Sequence, residues 1–173
     1  MKDVKLIKPT VELKEQYLDM IHEWVRTGEK LVPWVLNFDS SNFQQMINQF
    51  EDFSHGIGLP DEYVPHSTYW LVDTQNRILG AVNIRHSLNE SLIKRGGHIG
   101  YGIRPSERRK GYATEILRLA LDKMRYLNVN NVLLTCDKEN IGSARTITKN
   151  GGVLESEVIE VGVVSQRYWI VLS

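Results

Sequence analysis

A short basic loop with a glycine, residues 108–114, follows a strand-like run and opens a strongly patterned helix. The first amides of a helix lack partners within the helix, and the helix dipole adds partial positive charge, so an anion binds there readily. Gly111 lets the backbone approach a ligand closely, and Arg108, Arg109 and Lys110 raise the local positive potential. We therefore interpret the loop as the binding site of a diphosphate-bearing cofactor.

The helix after this loop supports that interpretation, because its apolar side chains recur at three- and four-residue spacing and form one face. They are Ala113, Ile116, Leu117, Ala120, Leu121, Met124 and Leu127. Packing of this face would fix the helix start before any ligand binds. A solvated basic turn is the other interpretation of residues 108–110, but the strand–loop–helix order favours phosphate binding.

A second motif begins at the next strand-like run, Val132–Cys136. Asn140 and Ser143 stand where a helix would begin, and both residue types are favoured helix caps. Together, Arg108-x-x-Gly111-x-Ala113 and the segment from Val132 to Gly152 resemble the GNAT superfamily of acyl-CoA-dependent N-acetyltransferases. The likeness covers about residues 77–172, and shorter stretches such as Gly96–Tyr101 are similar to a bacterial subgroup of that family.

The resemblance implies an α/β (α+β) GNAT fold, with a mixed, mostly antiparallel sheet that is splayed at its centre and flanked by helices. It also implies acetyl-CoA as cosubstrate, with the pantetheine arm bonded to the main chain near Ile103 and the pyrophosphate on the basic loop. The cofactor-binding residues are then Ile103, Arg108, Arg109, Lys110, Gly111, Tyr112, Ala113, Thr114, Asn140 and Ser143. The activity implied is transfer of acetyl to a primary amine by direct attack in a ternary complex.

One position departs from the family pattern. Many relatives have a tyrosine seven residues after the motif asparagine, where it protonates the departing thiolate, but here that position is Ile147. Tyr101, Tyr168 and Cys136 are candidate substitutes, although Cys136 also fits a small buried strand residue. The departure is the best support for the alternative function, a non-catalytic acyl-CoA-binding sensor or regulatory module.

His98 is the first candidate for the general base, because imidazole titrates in the useful range and the residue starts the fourth strand. His86 is the second candidate and Glu90 the third. A single histidine on a strand is more often a structural group, so the structural role of His98 stays open.

The acceptor side is less well marked in the sequence. Arg85 and Arg167 could bind an acidic group on the acceptor, or could be ordinary paired arginines. Trp34, Tyr69 and Trp70 could line its pocket, or could be core aromatics. The acceptor class left open is a small-molecule or peptide amine.

Composition limits the other possibilities. The 173 residues fit one domain with a real core, and 21 Lys plus Arg balance 21 Asp plus Glu. A neutral chain argues against nucleic acid as partner. The single cysteine favours a reducing, cytoplasmic location, no apolar run has membrane length, and the histidines and cysteine show no metal-site spacing, so no metal is expected.

We expect a single acetyltransferase domain over residues 1–173, with an acceptor-side half at about 1–97 and an acetyl-CoA-binding core at about 98–173. A homodimer is a fair expectation for such folds. The patterns predict strands at 4–7, 67–73, 77–85, 99–103, 131–136, 153–161 and 166–172. They predict helices from Thr10 to about Arg26, from Asp39 or Ser40 through Phe50, after Gly111 and at 142–149, with one helical turn at 90–94.

Overall fold

The computed structural model describes residues 2–173. The strands are β1 Val4–Ile7, β2 His66–Asp73, β3 Ile78–Arg85, β4 Ile99–Ile103, β5 Asn131–Asp137, β6 Val153–Glu160 and β7 Val163–Val171. The α-helices are α1 Lys14–Val25, α2 Phe43–Ser54, α3 Glu90–Lys94, α4 Tyr112–Tyr126 and α5 Ile141–Lys149. Every predicted strand and helix is therefore present, with shifts at some ends.

The strands form two sheets that meet at one place. One sheet has the order β1-β2-β3-β4 and the other β5-β7-β6, and every strand pair within them is antiparallel. Helix α4 connects β4 to β5 across the boundary between the sheets. The predicted fold class, a mostly antiparallel sheet splayed at its centre and flanked by helices, is confirmed.

Two apolar clusters cover the two faces of the first sheet. Helix α4 contributes Ile116, Leu117 and Met124 to a cluster that also contains strand residues of both sheets, so this cluster joins them. Helices α1 and α2 pack on the other face, in a cluster that contains Tyr17 and Trp70. The predicted apolar face of α4 is thus the inner face of the larger cluster.

The boundaries that differ have local causes. Helix α2 begins at Phe43 rather than at residue 39 or 40, because the side chain of Asn42 caps it by accepting from Gln45 N at 3.1 Å. Strand β7 begins at Val163, because the chain reverses over Val161 and Gly162 alone. Both residues have positive φ, 48° and 76°, as a two-residue hairpin turn requires.

Residues 96–98 are the place where the two sheets meet. Gly97 forms an isolated antiparallel bridge with Leu134. His98 N donates to Leu133 O at 2.8 Å, and Leu133 N donates to His98 Nδ1 at 3.0 Å. Gly96 N donates to Thr135 Oγ1 at 2.8 Å. The sheets are therefore tied together before the start of β4 and separate beyond it.

Gly97 supplies a testable requirement of this junction. Its φ is +61°, and a Cβ there would overlap the Leu133 carbonyl, whereas Gly151 has φ +89° with nothing near its missing Cβ. Gly97→Ala should lower the free energy of unfolding by about 3 kcal/mol, and Gly151→Ala by about 1 kcal/mol from backbone strain alone. Urea unfolding of the two variants measures the difference, and equal losses would show that the close approach does not matter.

Candidate functional site

The separation of the sheets leaves a wedge-shaped cleft between β4 and β5, which we call the wedge. Its volume is about 300 Å³. Gly100 and Tyr101 line it from β4, Cys136 and Asp137 from β5, and Asn140 and Ser143 from the start of α5, while Val32, Pro33 and Trp34 cover it. The wedge therefore brings together Tyr101, Asn140 and Ser143 with three further candidates from the sequence, Trp34, Arg85 and Cys136.

The edge of β4 that faces the wedge carries free backbone groups. Arg104 N donates to Leu79 O and Arg85 N donates to His98 O, so the even-numbered residues of this strand bond towards β3. Because backbone groups alternate along a strand, those of Ile99, Tyr101 and Ile103 point away from β3. Of these groups, the Ile103 carbonyl already accepts from Arg108 Nε at 3.1 Å. An extended ligand with amide groups can bond to this edge as an additional strand.

The loop before α4 presents a second set of free groups. Among residues 2–173, no acceptor is found for the backbone amides of residues 109–114, and the first amide of α4 to bond is that of Glu115, to Gly111 O at 3.2 Å. Arg109 and Gly111 have positive φ, 60° and 86°. Left-handed residues in such a loop turn neighbouring amides to one side and form an anion-binding nest. The loop thus has the form expected for a phosphate site.

The basic side chains of this loop differ in their partners. Arg108 lies 2.7 Å from Glu29, donates from Nε to Ile103 O at 3.1 Å and lies over the Trp24 ring, so it holds the loop against β4 and α1. Lys110 pairs with Glu107 at 3.1 Å. Arg109 has no carboxylate partner in the described part of the chain.

Lys2 is a basic residue near the loop that the motif analysis missed. Its Nζ lies 4.4 Å from the centre of the Tyr112 ring, at the first turn of α4. The residue is far away in sequence and belongs to no motif, so only its placement beside β1 reveals it.

The polar groups at the centre of the wedge form a small cluster. Tyr101 Oη and Ser143 Oγ lie 3.2 Å apart. Asn140 Oδ1 accepts from Ser143 N at 3.1 Å, so Asn140 caps α5 as its residue type suggested. Burial raises the pKa of Tyr101 to about 12, so its hydroxyl stays protonated at neutral pH.

The candidate bases lie elsewhere. His98 is 5% exposed, accepts a hydrogen bond from Leu133 N, and has its pKa lowered by burial to about 4. These contacts favour a structural role over the catalytic one predicted from the sequence. His86 lines a separate cavity, where its Nε2 lies 2.8 Å from Ser67 Oγ, and Glu90 is an exposed residue on α3.

The other positions considered for a general acid are less suitable than Tyr101. Ile147 is 1% exposed and packs in the larger apolar cluster, so its side chain does not reach the wedge. Cys136 lines the wedge, but burial raises the pKa of its thiol to about 11. Tyr168 donates to Gln166 Oε1 at 2.8 Å and lies outside the wedge.

A second cavity of about 400 Å³ adjoins the wedge. The two spaces share one wall, because four residues line both: Trp34, Arg85, Arg95 and Gly96. We call this second space the side pocket. Of the three aromatic residues that the sequence suggested for an acceptor pocket, Trp34 lines the side pocket.

The remaining acceptor-side candidates lie apart from both spaces. Tyr69 faces two other cavities, and Trp70 is buried against Tyr17. Arg167 pairs with Glu155 at 3.0 Å on the second sheet. Arg85 is therefore the one predicted arginine that the structure brings to the wedge.

Neither a membrane helix nor a metal cluster is found within residues 2–173. None of the helices described combines the length and apolar character needed to cross a bilayer. No three His, Cys, Asp or Glu side chains in this part of the chain lie close enough together to bind a metal ion.

Comparison with known proteins gives the family. Residues 11–153 match the family described as "Acetyltransferase (GNAT) domain". Since this match covers most of the chain, the protein belongs to the GNAT family and is an acetyltransferase, a class whose members use acetyl-CoA. A comparison with curated protein sequences finds no significant match.

Solved structures share the fold at low sequence identity. The microcin C7 self-immunity acetyltransferase MccE, in complex with acetyl-CoA and AMP, is similar over 99% of this chain and 94% of its own, with TM-score 0.69 and 17% identity. A Vibrio cholerae protein proposed to be a ribosomal-protein-serine acetyltransferase is similar over 99% and 95%, with TM-score 0.66 and 16% identity. The dodecameric spermidine N-acetyltransferase of Vibrio cholerae is similar over 97% and 92%, with TM-score 0.63 and 18% identity. For the present chain, a homodimer stays a prediction.

Gly111 offers a direct test of the anion nest. Gly111→Val should weaken acetyl-CoA binding by about tenfold or more, because a branched side chain resists the left-handed backbone that aims the amides. Gly162→Val is the matched control, since Gly162 also has positive φ, 76°, and open space around it, but lies in the β6–β7 turn. Isothermal titration measures both variants, and equal affinities would contradict the nest.

Proposed function

We propose that the protein transfers the acetyl group of acetyl-CoA to a primary amine by direct attack in a ternary complex. Two observations carry this proposal together: the open edge of β4 lines the wedge, and the amides of residues 109–114, in the loop that follows β4, find no acceptor among the described residues. The two features suit the two chemically different parts of acetyl-CoA, the amide-containing arm and the diphosphate. Positioning of donor and acceptor in one cleft supplies much of the rate enhancement in such reactions.

The residues that would hold acetyl-CoA divide by function. The amides of residues 109–114 would bind the diphosphate, with Arg109 and Lys2 adding positive charge. Arg108 would act through its position, because its side chain is already bonded to Ile103 O and Glu29. The backbone of Tyr101 and Ile103 would bond to the arm, and an amide of this edge would polarise the thioester carbonyl.

Tyr101 is our candidate for the proton donor to the departing thiolate. Its hydroxyl lies in the wedge next to Ser143, and its raised pKa keeps it protonated. It would replace the tyrosine that many relatives carry on the helix, where this chain has the buried Ile147. A thiol with a pKa near 8.5 leaves with modest help, so one hydroxyl donor is sufficient.

We assign no general base among the side chains at the wedge. Asp137 is the one carboxylate among the described residues that line the wedge, and it pairs with Arg95 at 2.9 Å. His98 holds the sheets together and stays neutral down to about pH 4. We therefore propose that the acceptor enters as the free amine, which means that the rate rises with pH through the pKa of the amine itself. The proton that the nitrogen loses after attack passes, directly or through water, to the Tyr101 phenolate and restores the donor.

The test of the function is mass spectrometry of an amine panel incubated with the protein and acetyl-CoA. Addition of 42 Da to at least one amine, about the mass of an acetyl group replacing hydrogen, is the expected result and depends on both partners. Tight acetyl-CoA binding without acetylation of any amine would instead indicate the sensor function.

Tyr101→Phe tests the proton donor. The variant should keep acetyl-CoA affinity and lose about 10- to 100-fold in kcat, since general acid catalysis contributes at least this much when the leaving group needs help. Tyr168→Phe is the matched control, because it removes a tyrosine hydroxyl that donates to Gln166 Oε1 outside the wedge. Steady-state kinetics with saturating acetyl-CoA measures both, and an unchanged kcat for Tyr101→Phe would remove it from the mechanism.

A further inference from the structure

Arg85 lies in the wall shared by the wedge and the side pocket and has no anionic partner among the residues that the structure describes. Its Nη1 donates to Gly96 O at 3.0 Å and to Gly97 O at 3.3 Å, both neutral carbonyls. Within residues 2–173 no carboxylate lies within ion-pair distance of its guanidinium. Burial lowers the pKa of Arg85 to about 10, and even so the group remains charged at neutral pH.

A half-buried cation without a counter-ion is costly, and proteins normally pair such groups. The carbonyls orient the guanidinium but do not neutralise it. Arginine presents a planar set of donors that matches a carboxylate or phosphate with two parallel hydrogen bonds. Arg85 therefore lacks a counter-ion, and an oxyanion on a ligand would supply one.

The other charges near this wall do not offset Arg85. Arg95 is already paired with Asp137 at 2.9 Å, and both side chains are about half exposed. Glu62 is the only acidic residue among those described that line the side pocket, and it is exposed at the rim. The shared wall is thus locally cationic although the chain as a whole is neutral.

Two further buried groups in the side pocket lack partners. Asn83 Nδ2 lies 2.8 Å from His66 Nδ1, 3.2 Å from Thr68 Oγ1 and 3.5 Å from the Ser67 carbonyl. In this orientation the amide donates to Nδ1, so the neutral imidazole carries its proton on Nε2. His66 is 3% and Asn83 0% exposed. His66 Nε2, a donor, and Asn83 Oδ1, an acceptor, have no hydrogen-bond partner in the described part of the chain.

We propose that the acceptor is an amine whose molecule also carries an oxyanion, a carboxylate or a phosphate, which Arg85 binds beside the wedge. This inference rests on the proposed acetyltransferase function. The same molecule extends into the side pocket, where a polar group such as an amide satisfies His66 Nε2 and Asn83 Oδ1. A polycationic amine would meet the positive charge of Arg85 instead, so a polyamine is not the acceptor of this site.

The first experiment compares matched ligands on the wild-type protein saturated with CoA, so that no turnover is needed. A short series of ω-amino acids, their carboxamides, O-phosphorylethanolamine and spermidine are titrated by isothermal calorimetry. We expect the preferred acid or phosphate to bind about 10- to 100-fold more tightly than the neutral counterpart, as is typical when a charged hydrogen-bonded partner is present. The carboxylate and phosphate arms show which oxyanion is recognised.

Three variants then assign the preference to one side chain. Arg85→Gln should abolish the preference for the acid and change carboxamide binding less than about twofold, and Arg85→Lys should retain part of it. Arg95→Gln is the matched control, because its charge is already neutralised by Asp137 and the preference should survive. If Arg85→Gln does not fold, the wild-type comparison and Arg85→Lys still decide the question.

The two proposals fail in different ways. Equal affinity of acid and carboxamide, tighter binding of spermidine, or binding of none of the anionic amines would overturn the assignment of Arg85, whether or not neutral amines are acetylated. Preferential binding of the anionic amine without any acetylation would support the subsite and overturn the proposed transfer reaction.

Discussion

The three residues that join the sheets, 96–98, are the constraint on which the site depends. The bridge at Gly97, the bond from His98 N to Leu133 O and the bond from Leu133 N to the His98 side chain tie one end of β4 to β5. Past this point the strands diverge, so the alternate backbone groups of β4 find no partner strand. Unpaired groups at a sheet edge normally invite another strand. Here the edge lines the wedge, where a ligand with amide groups can satisfy it.

Packing prepares the anion site in the same way. The apolar face of α4 is buried in the cluster that joins both sheets, so the position of its first turn is set by the core. Arg108 is held by Glu29, Trp24 and Ile103 O and restrains the loop from the other side. The amides of residues 109–114 are therefore ordered without a ligand, and binding does not have to supply that ordering free energy.

The sequence predicted the parts of this site that depend on local chain order. The glycine-containing loop and the cap at Asn140 lie within short segments, so their spacing alone indicates their geometry. Contacts between distant segments were not predictable in this way. His98 is a plausible base by residue type, but its bond to Leu133 depends on how two sheets meet. Lys2 beside Tyr112 and the pairing of His66 with Asn83 likewise arise only from the fold. The turn between the last two strands was predicted at residues 162–165 but lies at Val161 and Gly162, because valine is rare at positive φ and its presence indicated a strand.

Burial raises the pKa of the acidic groups around the wedge and lowers the pKa of the basic ones, and the direction of the shift decides which groups can donate a proton. Desolvation favours the neutral form, so it keeps the proton on Tyr101 and Cys136 and keeps it off His98 and His66. The wedge is thus lined by protonated donors, and the imidazoles near it are neutral. Arg85 differs from these neutral groups, because its guanidinium stays charged at neutral pH even though burial lowers its pKa to about 10. We therefore propose that the charge of Arg85 selects the acceptor, and that the ionisation of the acceptor amine itself governs how the rate depends on pH.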